Sequence, residues 1–309
     1  MEILKRTLSC AAYFIETEPG SFIDTVAARQ PKIEEDKAIA DLHTHPNIRD
    51  KETLCSTLAV MADHNVDELA ITTHGTANSK EYDLWRIKEL IEKDRNLARE
   101  LNYQDKGLIF QVEYQGKTLT LVGAYEMSVC IPGIWGKNDI LTLMPDKGFE
   151  KEVKQNMHLM DYVNLSRDHG AIVIGAHPYT IWDPHLFSMI RFRPASKFDR
   201  NVIKDYLFPI VDSVDLVAAN TLWMVDESNR QLETDYREFG RKPLANSDAH
   251  SKSDYARNEI GRSGNIFDNI HVENGDNHRE NRRKAITDDN FETYTSSMPF
   301  FRFVRSMIF

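Results

Sequence analysis

The sequence predicts an α/β fold, a barrel of strands with helices outside it, on three observations. Short apolar runs alternate with helical periodicity from residue 38 to residue 247, the pattern of a largely parallel sheet covered by helices. The chain has 309 residues, a normal length for one α/β barrel with additions. Histidines and carboxylates recur where the predicted strands end, which in such a barrel is the rim that carries active sites.

The elements follow in order. Residues 1–37 read as an N-terminal extension packed on the barrel; the apolar run "LSCAAYFI" meets Glu16 at once, so it is read as a buried strand or helix start rather than a signal peptide. "AIADL" (38–42) is a buried strand, and "KETLCSTLAVMADHN" (51–65) sets Leu54, Leu58 and Met61 at helical spacing. "DELAITT" (67–73) is the next strand, followed by a helix over 80–101 with an apolar side and a charged outer face. Residues 107–129 read as a hairpin turning at Gln115-Gly116. "DILTLM" (139–144) is a strand, 150–170 one helix stopped by Gly170, and "AIVIGA" (171–176) a strand. A helix at 202–208, a strand at 213–220, a helix at 226–240 and a last strand, "PLANS" (243–247), complete the barrel unit, placed at 38–262. Residues 263–309 read as a polar, loop-rich segment closed by the aromatic run "FFRFVRSMIF", which packs back on the barrel or binds a partner.

Composition narrows the function. Asp and Glu number 48 against 38 Lys and Arg, a formal net charge of -10. That argues against clamping duplex DNA, which needs a basic surface, although bound cations can reverse the field locally. The three cysteines, Cys10, Cys55 and Cys130, form no CxxC and leave an odd count, so a reducing cytoplasm fits better than a disulfide framework. No apolar stretch approaches the roughly 20 residues that span a bilayer.

The chemistry begins at "DLHTHPNIRD" (41–50), with two histidines and two aspartates in one short stretch. Side chains two apart on an extended strand point the same way, so His43 and His45 can reach one cation. His74, Glu126, His177, Asp248 and His250 each follow a predicted strand in turn. Side chains distant in sequence thus converge at one barrel mouth. A mixed set of imidazoles and carboxylates suits clustered Zn²⁺, Mn²⁺ or Fe²⁺ better than Mg²⁺. Adjacent cations lower the pKa of a bound water and neutralise charge growing on a phosphoryl group. His64, His158, His169, His271 and His278 lie elsewhere in the pattern and are assigned structural roles.

"DLHTHPNIRD", "ITTHGT", "GAYEMS", "GAHPY" and "NSDAH" resemble, in order, the motifs of the polymerase and histidinol phosphatase (PHP) family of phosphoesterases. The resemblance spans roughly residues 38–262 and implies a distorted (β/α)7 barrel, two or three divalent metals and hydrolysis of phosphate esters. It implies His43, His45 and Asp248 at a first metal, Glu126 bridging to a second completed by Asp50 and His74, and His177 and His250 at a third. The family's third site takes a further histidine after the bridging glutamate. Residues 127–157 contain none near that place, where Asp139 stands instead, either as a ligand or as the start of a strand. An arginine expected soon after the His-Pro pair is also missing before Arg191.

The leading expectation is therefore a hydrolase acting on a small phosphorylated molecule, a nucleotide or a short nucleic-acid end. Asp248 and Glu126 act as ligands first, and His250 is a candidate to protonate the leaving group. Arg191, Arg193, Lys252 and Arg257 are candidate phosphate contacts, and Tyr179 and Trp223 candidates to line the pocket. The alternatives are hydrolysis of a non-phosphate bond, such as an amide, by the same metals, and a non-catalytic metal-stabilised binding module.

Overall fold

A computed structural model of the chain describes residues 34–74, 83–154, 156–182, 192–217, 223–250, 259–268 and 272–295. The first strand shows how the sequence builds the barrel. β1 (Lys37–His45) is buried over all but its first residue, because its two faces serve two layers: Ile39 packs with the outer helices, while Ala40 and Leu42 join an inner cluster. The chain then runs through α1 (Lys51–Asp63), β2 (Glu68–His74), α2 (Leu84–Lys93), α3 (Arg95–Glu100), β3 (Gln104–Asp105), β4 (Ile109–Tyr114), β5 (Lys117–Val129) and β6 (Asn138–Leu143). It continues through α4 (Phe149–Glu152), α5 (Leu159–Asp168), β7 (Ile172–Ala176), β8 (Thr180–Trp182), β9 (Phe192–Pro194), α6 (Lys197–Tyr206), β10 (Ser213–Val217) and α7 (Trp223–Glu238). β11 (Leu244–Asn246), β12 (Ala249–His250), β13 (Gly264–Asp268), α8 (Gly275–Thr287) and β14 (Glu292–Tyr294) end it.

The main sheet runs β11-β10-β7-β6-β5-β2-β1-β13-β14. The pairs β1–β2, β2–β5, β7–β10 and β10–β11 are parallel. The expectation of a parallel sheet fails at β6, which is antiparallel to both β5 and β7. The physical reason is the short connection from β5, which allows a hairpin but no helical crossover. At the other end β11 meets β1 and β13 through side chains rather than a ladder. Asn246 Oδ1 accepts from the Leu42 amide at 2.8 Å, and Asn265 accepts from the Ala245 amide and donates to the Ala245 carbonyl, both at 2.9 Å. These two buried asparagines bring the sheet to a nearly closed barrel.

Alternation sets the layers. Ala70, Val122, Ala124, Leu141, Leu143, Ile172, Ile174 and Leu244 fill the inner cluster, while their neighbours Leu69, Ile71, Leu119 and Leu121 pack against α1, α2 and α3. Val173, Val214 and Leu216 face the second outer layer with α5, α6 and α7. The hairpin turn falls at Gln115-Gly116, at φ 51° and 77°, the left-handed pair that a two-residue turn requires.

Three expectations change. The helix expected over 80–101 breaks at Asp94, whose carboxylate caps the next helix by accepting from the Asn96 and Leu97 amides. The helix expected over 150–170 begins in full only at Leu159, with His158 at its N-cap, because the Cys130 region forms a bridge with His158. The stretch after 262 is not a loop-rich tail over its described part: β13 pairs antiparallel with β1, and β14 with β13. Its polarity reflects the wet side of α8, while His278, Arg279, Arg282 and Ile286 are buried. The initial 33 residues and the closing aromatic run lie outside the described residues. Among the described residues no helix is long and apolar enough to cross a membrane.

Candidate metal centre

The site is assembled by strand parity. Thr72 and His74 continue the inward face of Ala70; Glu126 continues that of Val122 and Ala124. Asp139 shares the inward parity of Leu141 and Leu143, and because β6 is reversed its first residues lie at the same rim as its neighbours' last ones, with Asp139 paired to Ala176. The two histidines of β1 reach this rim through a local irregularity. Pairing with β2 runs Asp41↔Leu69 and then Thr44↔Ile71, one extra residue on β1, and such a bulge re-aims the side chains beyond it.

Glu126 sits at the centre. Its Oε1 lies 3.3 Å from His43 Nε2 and 3.4 Å from His177 Nε2. Its Oε2 lies 3.3 Å from His45 Nε2 and 3.6 Å from His74 Nε2. Asp248 Oδ1 is 3.6 Å from His43 Nε2, 3.5 Å from His45 Nε2 and 3.4 Å from His250 Nδ1. The His45 ring centroid lies 4.3 Å from those of His74 and His250, which are 5.6 Å from each other, so the three rings form a compact triangle. Ligand atoms gather within 4.8 Å of one another in three groups: His43–His45–Glu126, Glu126–Asp139–His177 and His45–His74–His250. The first two are buried; His74 and His250 are half exposed and form the open side of the mouth.

The electrostatics fit a site made for cations. Burial alone would raise the Glu126 carboxyl, but the charge on His43 and hydrogen bonds from His177, His43 and His45 hold it well below the usual carboxylate range. Burial opposes the charging of His43, yet Glu126, Asp248 and Asp215 keep it well above the ordinary histidine value. His177 is pushed up to about 9: burial opposes this, and the hydrogen bond to Glu126 with the charges of Asp248, Glu126 and Asp139 overcomes it. Burial and the charges on His250 and His74 push His45 well down, against the pull of Glu126. Burial and the Glu126 charge raise Asp139 to about 6. Metal binding at His43 and His177 therefore competes with protons, since an imidazole must give up the proton on its ligating nitrogen to hold a divalent ion.

Two further observations support the fit. Glu126 Oε1 and Asp248 Oδ1 are buried, and their imidazole contacts are long, at 3.3–3.6 Å, so a cation among these groups would satisfy buried oxygens that the rings alone hold weakly. His177 at φ 31° and Asp248 at φ 50° both hold left-handed backbone, which non-glycine residues adopt at a cost and which clusters at functional sites. Imidazole nitrogens and carboxylate oxygens at these positions are a donor set for Zn²⁺, Mn²⁺ or Fe²⁺.

The structure divides the donors differently from the resemblance. His177 joins Glu126 and Asp139 rather than His250, and His250 joins His74 and His45. Asp139 lies in strand β6 and beside Glu126 and His177 at once. Asp50 is not brought into these groups. It is the N-cap of α1, its Oδ1 accepting from the Thr53 amide at 2.8 Å while Thr53 Oγ1 accepts from the Asp50 amide at 3.1 Å. Asp50→Ala is expected to lower stability by about 1 kcal/mol in urea unfolding and to leave metal content unchanged. Loss of a metal equivalent would restore Asp50 to the ligand set.

The candidate substrate contacts fare less well. Arg193 gives Nη1 to Asp199 at 2.6 Å and Nη2 to the Trp135 carbonyl at 2.8 Å, so its guanidinium is tied to α6 and a neighbouring loop. Tyr179 is buried in the core against Phe208 and donates to Asp235 at 2.6 Å; it does not line the mouth. Arg191, Lys252 and Arg257 lie outside the described residues, as does the side chain of Trp223. The histidines assigned structural roles hold them where described: His64 bonds the Ile260 carbonyl through Nδ1, and His278 lies against Glu68.

Sequence reasoning missed Asp215. It lies inward on β10, between the outward-facing Val214 and Leu216, fully buried. Its signal was a lone carboxylate inside the apolar run "SVDLV", a placement that burial permits only when the charge has partners.

No family model and no curated protein match the chain. Among solved structures it is similar to a lesion-specific endonuclease from Pyrococcus furiosus, at 15% identity and a TM-score of 0.51, over 83% of this chain and 57% of the other. The chain therefore spans a little over half the length of that protein. Looser likenesses are to a two-domain protein from Bacteroides vulgatus containing a predicted PHP-like metal-dependent phosphoesterase (12% identity, TM-score 0.46, 86% of this chain and 67% of the other) and to an amidohydrolase from Chromobacterium violaceum (11% identity, TM-score 0.45, 79% and 96%). The fold is a mixed α/β barrel, nearly closed, of the kind the sequence predicts and similar to that of the endonuclease. Its mouth carries clustered histidine and carboxylate groups able to take metal ions.

Proposed function

We propose that the chain is a metal-dependent phosphoesterase that hydrolyses a small phosphorylated molecule, a nucleotide or the end of a short nucleic acid, with two or three Zn²⁺, Mn²⁺ or Fe²⁺ ions. The observation that carries this reading is the position of Glu126, one buried carboxylate with four imidazoles within 3.6 Å of its two oxygens. Clustered cations, when bound, acidify water and neutralise the charge of a phosphate ester.

The chain's own part follows from the geometry. His43, His45 and Asp248 would hold one cation with Glu126; Asp139 and His177 would hold a second that shares Glu126; His74 would serve the open edge. His250 keeps Nδ1 on the Asp248 carbonyl at 3.0 Å, which leaves Nε2 as the atom to carry a proton to a leaving oxygen. With a net charge of -10, the protein repels an anionic substrate until cations reverse the field at the mouth. Cys55 and Cys130 are free thiols, in keeping with the cytoplasmic setting proposed for the chain.

One observation favours a second reading. Arg193, offered by the sequence as a phosphate contact, is tied to Asp199, and amide hydrolysis needs no such grip. Turnover of p-nitrophenyl phosphate, its bis-ester, a nucleotide panel and an N-acyl amide panel, with Mn²⁺ or Zn²⁺, tests both. Phosphate-ester hydrolysis that Asp248→Ala abolishes is the expected result. Turnover of amides alone would replace the proposal with the second reading.

A further inference from the structure

We propose that Asp215 is a positioning residue that couples the two buried donor groups sharing Glu126. Its Oδ2 accepts from His43 Nδ1 at 2.8 Å, and its Oδ1 accepts from the backbone amide of His177 at 2.7 Å. The carboxylate thus grips one residue from each of the two buried donor groups. Asn246 Nδ2 adds a third contact to Oδ2 at 3.2 Å, and Asn246 itself is fixed by the amide of Leu42. Asp215 has no exposed surface, so the contacts act without competing water.

The consequences differ on the two sides. At His43 the carboxylate keeps the ring proton on Nδ1, so the ring presents Nε2 to Glu126 and Asp248, at 3.3 and 3.6 Å. A partner of this kind fixes tautomer and ring direction and raises the basicity of the ligating nitrogen. At His177 the same carboxylate holds the amide of a residue at φ 31°, a conformation that needs such a restraint to persist. His177 lies beyond the inward parity of Ile172, Ile174 and Ala176, so this turn of the backbone is what delivers its ring to Glu126 and Asp139. Losing the carboxylate should therefore weaken both positions at once.

The inference rests on the metal assignment made above, and not on the substrate. Asp215→Asn keeps the side chain's size but sets an amide hydrogen against one of its three donors. Metal content and Co²⁺ titration, followed by absorption, compare it with wild type, His177→Ala and Asp67→Asn. Asp67 is a control from the other end of the barrel, holding only the Ile39 amide, at 2.8 Å. Asp215→Asn is expected to lose about 10- to 100-fold in affinity at both positions, His177→Ala at one, and Asp67→Asn at neither. Wild-type loading of Asp215→Asn, or weakening at one position alone, overturns the proposal while leaving the metal assignment standing; a wild type that takes up no metal overturns both. Should Asp215→Asn not fold, ¹⁵N NMR of the metal-loaded wild type decides. A His43 proton on Nδ1 is expected, and its absence there overturns the proposal.

Discussion

Glu126→Gln is expected to abolish metal-dependent hydrolysis, lowering kcat/KM on the order of 10³-fold or more, while the folded state persists. The amide matches the carboxylate in shape but brings no charge and only one oxygen. It cannot serve donors on two sides, and Glu126 is shared by the two buried groups, His43–His45–Glu126 and Glu126–Asp139–His177. Glu126 raises the basicity of both His43 and His177, against the effect of their burial. Without its charge the rings lose the partner that makes them basic, and the cations lose their common ligand. Steady-state kinetics with metal analysis checks the point. A Glu126→Gln enzyme with both activity and full metal content would remove the residue from the centre of the account.

Arg282→Ala is expected to carry the largest cost in stability, about 3–5 kcal/mol, far from the mouth. Arg282 on α8 donates Nε and Nη2 to Glu68 Oε2 at 2.9 and 2.6 Å, at the first residue of β2. His278 Nε2 lies 3.1 Å from Glu68 Oε1, and all three side chains are almost wholly buried. Truncating the arginine leaves a carboxylate with nothing like its present compensation. Burial would raise the Glu68 carboxyl, but Arg282 and His278 hold it far below its ordinary value. The stabilisation from that depressed pKa is therefore present above the unfolded carboxyl's range, near 4.3, and fades as pH falls below it. Urea unfolding at neutral pH measures the loss. A triple variant, Arg282→Met with Glu68→Leu and His278→Leu, should recover most of it, since an apolar cluster needs no compensation.

These two predictions mark what could be read from the sequence and what could not. The barrel was legible because buried strands announce themselves as short apolar runs, and the cluster of donor groups because His43, His45, His74, Glu126, His177, Asp248 and His250 each close such a run. Asp139 was harder: its place at the mouth depends on β6 running backwards, which no local pattern states. Asp50 misled because a carboxylate before a helix suits a ligand and a cap equally, and only the contact with Thr53 separates them. Arg193 and Tyr179 misled for a related reason. Their chain positions follow the His-Pro pair, but Asp199 and Asp235 claim their polar ends.

The C-terminal part was the least legible. Glu68 falls in a predicted strand and His278 and Arg282 in a segment that reads as polar and loop-rich, and nothing local pairs them. Their burial comes from a contact between residues more than two hundred positions apart, where α8 docks on β2. Gly275 permits the close approach at the start of that helix: a Cβ there would lie 2.4 Å from the Leu108 amide nitrogen. Asp215 belongs to the same class of residue, a charge hidden inside an apolar run whose meaning appears only once His43 and His177 are seen beside it.

The most direct measurement is anomalous diffraction from crystals grown with Mn²⁺ or Zn²⁺. Peaks are expected on both sides of the Glu126 carboxylate, one contacted by His43, His45 and Asp248 and the other by Asp139 and His177. A metal-soaked crystal with no anomalous peak within coordination distance of Glu126 would contradict the account.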